Sequence, residues 1–169
     1  IHKKLPKNLV KPIQKLQPVK IGAFTVEAFD VPHDSADCCG YTITYNDKRF
    51  VLITDCGKIT EEVSSRALEA DYLVLESNYD PQMLETGPYP LHLRRRIACS
   101  TGHLSNTETA EFLRDNSFAN LRQLFLCHLS ENNNTHELVD SAVSQALQDK
   151  NVPYHILDRR KVNGFFELD

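Results

Sequence analysis

From Ile21 onward the chain alternates short apolar runs with polar breaks. Gly22 to Val31 (GAFTVEAFDV) has the two-residue period of a half-buried strand, and VPHDSAD then breaks into a loop. YTITYNDKRFVLIT predicts a hairpin turning at Asn46-Asp47, with its second strand ending at Asp55-Cys56-Gly57. Thr60-Glu61-Glu62 supplies an N-cap and an acidic first turn for a helix to about Glu69, without a capping box because Val63 stands three residues on. DYLVLESN and LRQLFLCHL are continuous apolar runs and predict buried strands. Between them, Pro90 to Ile97 predicts a helix, a loop follows through Gly102, and Ser105 or Asn106 caps a helix over Thr107 to Asp115. Thr135 to Lys150 places Leu138, Val139, Ala142, Val143, Ala146 and Leu147 at helical spacing. VPYHILD and VNGFFEL predict two last strands. A hairpin followed by alternating helices and strands indicates α/β layers.

Residues 1–20 hold six Lys and three Pro with little periodicity, so they read as a linker or extended arm before one domain over 21–169. That length can bury a core, and 41% hydrophobic with 25% charged residues is ordinary for a soluble globular chain. The net charge of -4 argues against a broad electrostatic grip on nucleic acid. Two local basic runs remain, Arg94-Arg95-Arg96 and Arg159-Arg160-Lys161, whose plain reading is solvated surface. No run is apolar enough to span a membrane and no signal peptide is visible, which gives a cytoplasmic expectation. The five Cys are odd in number and lack a CxxC pair, so they predict reduced thiols rather than a disulfide framework.

Three metal-type side chains end strand-like runs: His33, Asp55 and His128. Imidazole and carboxylate suit zinc, manganese or iron. Their spacing excludes a single helical motif, so they meet only if the fold brings three strand ends together. Each has a plainer alternative: a loop His, an Asx turn and a core His. Ser130 and Asn132-Asn133-Asn134 could hydrogen-bond the second ring nitrogen of His128. His103 stands just before a helix, where a phosphate would be favoured and a His could move a proton, or where it is merely exposed beside the cap Ser105. Glu76, Asn78 and Asp80 follow a buried strand and are either outer partners and substrate contacts or a turn before Pro81.

Five segments in order, VPHDSADCCGYTI, LITDCGKIT, LVLESNYDPQML, STGHLSNTETAEFL and LFLCHLSENNN, resemble the C-terminal half of metallo-β-lactamase-fold hydrolases, in the bacterial nuclease-like branch close to the YycJ/WalJ family. The resemblance spans Val26 to about Leu157. It implies an α/β fold like the second half of an αββα sandwich. It implies His33, Asp55 and His128 as ligands of two divalent ions, zinc or manganese, with Asp55 bridging them. It implies His103 at the phosphate or leaving group, with Glu76, Asn78 and Ser105 as substrate or outer contacts. The activity implied is phosphodiester hydrolysis, with DNA as substrate. The alternatives are a lactonase or thioesterase of the same fold, or a non-catalytic interaction module. The family's His-x-His-x-Asp-His signature does not occur in this sequence. The resemblance therefore leads us to expect a partial or empty metal site and little activity in this chain alone, and an apolar sheet face that associates with an upstream half or with a second copy.

Overall fold

The structure is a computed structural model describing residue 10 and residues 12–168. Among these, seven strands form one sheet in chain order. Strands β1 (Val19–Ile21), β2 (Phe24–Asp30), β3 (Cys39–Tyr45) and β4 (Lys48–Ile53) are antiparallel neighbours. Strands β5 (Tyr72–Glu76), β6 (Gln123–Cys127) and β7 (Tyr154–Ile156) continue the sheet in parallel with β4. The predicted hairpin turn is present: Asn46 and Asp47 have φ of 45° and 62°, the paired left-handed conformation that a two-residue connection needs. On β3, Gly40 stands opposite Phe29, and a Cβ there would lie 2.4 Å from the Phe29 ring. The bare backbone at Gly40 is what lets that ring reach the core.

Three longer helices cover one face: α1 (Glu61–Leu68), α4 (Asn106–Asp115) and α5 (His136–Ala146). Short helices α2 (Pro81–Thr86) and α3 (Leu91–Ile97) lie between β5 and α4 in the chain. The main core joins Val63 and Ala67 of α1, Phe112 and Leu113 of α4, and Val139 and Val143 of α5 to alternate strand residues including Val51, Ile53, Leu73, Leu75, Leu124 and Leu126. The intervening strand residues point the other way. Phe50, Leu52, Val74, Phe125 and Cys127 form a second apolar cluster with Leu157, to which no helix contributes.

The expected arm needs correction. Residues 1–9 and 11 lie outside the described residues, but Val19 and Lys20 are strand, pairing with Val26 and Thr25. Just before them Lys15 binds Asp30 and Asp37 at 2.5 and 2.8 Å. The lysines hid this strand, since only Val19 and Ile21 alternate there. The expected last strand over VNGFFEL is also absent. After Leu157 the chain turns off the sheet. The Asp158 carboxylate accepts the Arg160 and Lys161 N–H groups, and Phe166 packs on Phe125 and His155 instead of extending the ladder. Of the two readings of Glu76, Asn78 and Asp80, the turn before Pro81 holds only for Asp80, which is the N-cap of α2 and accepts the Met83 N–H, with Pro81 in the first turn, where a missing N–H costs nothing. Thr60 caps α1 as expected. Ser105 caps α4 within a full capping box closed by Glu108, so the helix begins at Asn106.

Candidate metal centre

Strands β2, β4, β5 and β6 all run the same way, so their carboxyl ends share one edge of the sheet. The chemistry-bearing side chains gather there, where open α/β sheets place their ligands. His33 follows β2, Asp55 follows β4, Glu76 is the last residue of β5, and His128 is the first residue beyond β6. His103 comes from the loop before α4.

Backbone interactions lock these loops together. The Gly57 N–H donates to the Pro32 carbonyl at 2.8 Å, tying the Asp55 loop to the His33 loop. A Cβ on Gly57 would lie 2.4 Å from the Gly102 nitrogen, so that close approach brings Asp55 beside the His103 loop. Asn78 donates its amide to the His128 carbonyl at 2.6 Å, and the Ser130 N–H donates to the Asn78 carbonyl at 2.7 Å. Below them a buried network of Ser77, Asn106 and Asn134 satisfies the carbonyls at the end of β5. Asp55 and His128 themselves have φ of 53° and 59°. A residue with a side chain gives up about 1–2 kcal/mol in that conformation.

The three imidazoles are all tied back through Nδ1. His33 Nδ1 lies 2.8 Å from the Gly102 carbonyl oxygen, which can only accept, so Nδ1 carries the proton. His103 and His128 each place Nδ1 2.7 Å from the same Glu76 Oε1. The second Glu76 oxygen accepts the Cys56 N–H at 2.7 Å. Burial pushes the Glu76 carboxyl up, but its bonds to His103, His128 and Cys56 outweigh burial and hold it below the ordinary range. An ionised Glu76 accepts from both rings, which leaves all three Nε2 lone pairs free. Such outer acceptors orient ligand histidines. Its bond to Glu76 raises the His128 pKa, while the charge of Arg159 opposes that rise. Burial pushes the neighbouring thiols Cys56 and Cys127 up to about 12, so both are neutral at physiological pH.

The free Nε2 atoms of His33 and His128 lie 3.5 and 3.8 Å from one Asp55 oxygen. Donors bound at about 2.0–2.2 Å to one ion sit roughly 3–4 Å apart, so Asp55 with either imidazole has the separation of a ligand pair. His33, Asp55 and His103 also present donor atoms mutually within 4.8 Å. The ring of His103 stands between the other two, with centroids 5.0 Å from His33 and 5.2 Å from His128. A second grouping, Glu76 with His103 and His128, matches the same spacing. There the contacts are the N–H···O bonds already described, so Glu76 serves the rings rather than a cation.

The structure brings together His33, Asp55, His103 and His128, with Glu76 and Asn78 directly behind them. Ser105 is not among them: its hydroxyl is spent on α4, bonded to Glu108. The Asn132–Asn134 run does not hold the His128 ring either. Asn132 reaches Tyr89, Asn133 reaches Ser130, and Asn134 holds the β5 end. The sharing of Glu76 by two rings was not legible in the sequence, because its partners lie 27 and 52 positions away.

The chain belongs to the Beta-lactamase superfamily domain family, whose profile matches residues 2–129. It is 36% identical to exodeoxyribonuclease YycJ of Bacillus anthracis over 129 residues, covering 76% of this chain and 49% of that protein. It is 35% identical to exodeoxyribonuclease WalJ of Streptococcus pneumoniae over 117 residues, covering 69% of this chain and 44% of that one. The chain thus spans about half the length of these relatives. In fold it resembles the metallo-beta-lactamase fold protein YhfI of Bacillus subtilis, with a TM-score of 0.62 at 19% identity over 86% of this chain and 51% of that one. No helix among the described residues is long and apolar enough to cross a membrane.

Proposed function

We propose that this chain carries half of the active site of a metal-dependent phosphodiesterase that acts on DNA. The observation supporting it best is the set of Nε2 atoms aimed at Asp55 while every Nδ1 is tied to a fixed acceptor. His33, Asp55 and His128 would hold zinc or manganese, with Asp55 shared between two ions in the complete protein. Such ions supply Lewis-acid stabilisation of a phosphate and a water nucleophile at neutral pH. His103 has a separate task. Glu76 fixes its ring through Nδ1, so when the ring is protonated Nε2 can hand a proton to the leaving oxygen. Asp55 and His128, in left-handed backbone, keep their side chains at the edge where a phosphate can enter. DNA as the substrate rests on the names of the relatives, YycJ and WalJ.

The partner reading is that the second apolar face, Phe50, Leu52, Val74, Phe125, Cys127 and Leu157, packs against an upstream half of the protein or a second copy. Phe50, Leu52 and Leu157, only partly buried around Val74, Phe125 and Cys127, support it. The test of the function is hydrolysis of bis-p-nitrophenyl phosphate by the complete protein, titrated with manganese and zinc, beside a thioester substrate. We expect metal-dependent release of nitrophenol that His33→Ala and Asp55→Ala abolish. Thioester cleavage without phosphodiester cleavage would overturn the proposal in favour of another hydrolase of this fold.

A further inference from the structure

A cavity of about 530 Å³ opens beside the histidines, lined by His103 and His128 together with Asp34, Arg96, Asp158 and Arg159. The two basic runs of the sequence thus send one arginine each to this cavity, and their states differ. Arg96 is neutralised by Asp34, which it meets through both Nε and Nη2. Beyond Arg159, Arg160 pairs with Glu131 and Lys161 with Asp158. The Arg159 side chain has no hydrogen bond or ion pair among the described residues. Its loop is held in place. The Leu157 N–H bonds the Leu126 carbonyl of β6 at 2.8 Å, the Asp158 N–H bonds Asn163 Oδ1 at 2.6 Å, and Asp158 Oδ1 accepts the Arg160 and Lys161 N–H groups at 2.8 and 3.1 Å.

We infer that Arg159 binds a backbone phosphate of a polynucleotide next to the one being cleaved, and so selects a chain of phosphodiesters over an isolated one. An uncompensated guanidinium in a fixed loop, on the wall of the cavity that holds the reactive rings, suits a phosphate oxygen pair. The negative net charge of this chain makes such a local contact count, because no broad positive field on it would grip a polynucleotide. The assignment rests on the phosphodiesterase reading above.

The test compares the complete natural protein with Arg159→Ala, Arg159→Lys and Arg95→Ala. Arg95 is exposed and lies outside this cavity, so its loss is a charge-matched control. Two substrates are used with manganese: a labelled oligodeoxynucleotide, and bis-p-nitrophenyl phosphate, which has no neighbouring phosphate. For Arg159→Ala we expect kcat/KM on the oligonucleotide to fall about ten-fold, mainly through KM, with the salt dependence of binding shallower by about one ion. Hydrolysis of bis-p-nitrophenyl phosphate should change by less than about two-fold, since a single phosphate contact elsewhere acts on binding alone. Arg159→Lys should recover only part of the loss, because an ammonium keeps the charge but cannot meet two phosphate oxygens at once, and Arg95→Ala should match the wild type on both substrates. Equal behaviour of Arg159→Ala and Arg95→Ala on the oligonucleotide overturns the assignment while leaving the phosphodiesterase reading intact. Parallel losses on both substrates overturn it as well, by placing Arg159 at the reacting centre. A wild-type protein that cleaves neither substrate removes the phosphodiesterase reading itself, and this assignment with it.

Discussion

Two pairs of residues share the same left-handed backbone in this sheet. Asn46 and Asp47 turn β3 into β4, with φ of 45° and 62°. Asp55 and His128 leave the carboxyl ends of β4 and β6, with φ of 53° and 59°. At the hairpin the conformation is the connection itself: a two-residue turn matched to the twist of its strands requires it, and Asn and Asp tolerate it well. At the other edge no such turn is needed, since Asp55 leads into a loop before α1 and His128 into a loop before α5. His is also a bulkier occupant of that conformation. What this backbone achieves at Asp55 and His128 is aim, placing a carboxylate oxygen and an imidazole Nε2 3.8 Å apart. Equal strain in one sheet thus serves the chain path in one place and the site in the other.

Replacing His128 by Gly separates the two demands. We expect affinity for zinc or manganese to fall more than a hundredfold by calorimetric titration, beyond the loss typical of an outer partner. The metal-free protein should lose no more than about 1–3 kcal/mol to urea, the cost of the lost bond to buried Glu76, partly offset because Gly adopts positive φ freely. A large loss of stability would mean that His128 serves the fold after all. Glu76→Gln keeps the shape but removes the charge that fixes two rings. Metal affinity should drop about ten- to a hundredfold in the same titration, with His33, which uses the Gly102 carbonyl, still held.

Gly57→Ala probes the interlocked loops. With only backbone of Ser100, Thr101 and Gly102 to yield to the new methyl, urea unfolding should show a loss of about 1–3 kcal/mol. Metal affinity should fall alongside, because the Asp55 and His103 loops move apart. The smallest effect is expected at the hairpin. Asp47→Gly should stabilise by about 0.5 kcal/mol, as Asn-Gly is a favoured pair in such turns, and leave metal binding unchanged.

The sheet and its site differ in how far the sequence reveals them. Helix α5 and the strands at Tyr72–Glu76 and Gln123–Cys127 announce themselves, because periodicity and continuous apolar runs are local. The three strand-end ligand types were visible for the same reason: each is a polar residue closing an apolar run. Strand β1 was masked because it is only three residues long, with Lys20 between Val19 and Ile21. VNGFFEL had strand composition, yet had no edge to join once Asp158 turned the chain away. Within the site, the missed features are the long-range ones. Glu76 holding two rings, Gly57 against Gly102, and Asn134 closing β5 each depend on loops meeting from distant parts of the chain. Ser105 misled because a cap and a substrate contact call for the same hydroxyl. The capping box was legible all along in Glu108.

At the centre stands the proposal that His33 and His128, each beside Asp55, hold divalent metal at the sheet edge. Elemental analysis tests it most directly: the complete protein is incubated with zinc or manganese, desalted, and compared with a His33→Ala, His128→Ala double variant. We expect stoichiometric metal on the wild-type protein and its loss in the variant, with both proteins folded by circular dichroism. Metal retained equally by the variant, or absent from a folded wild-type protein, would contradict it.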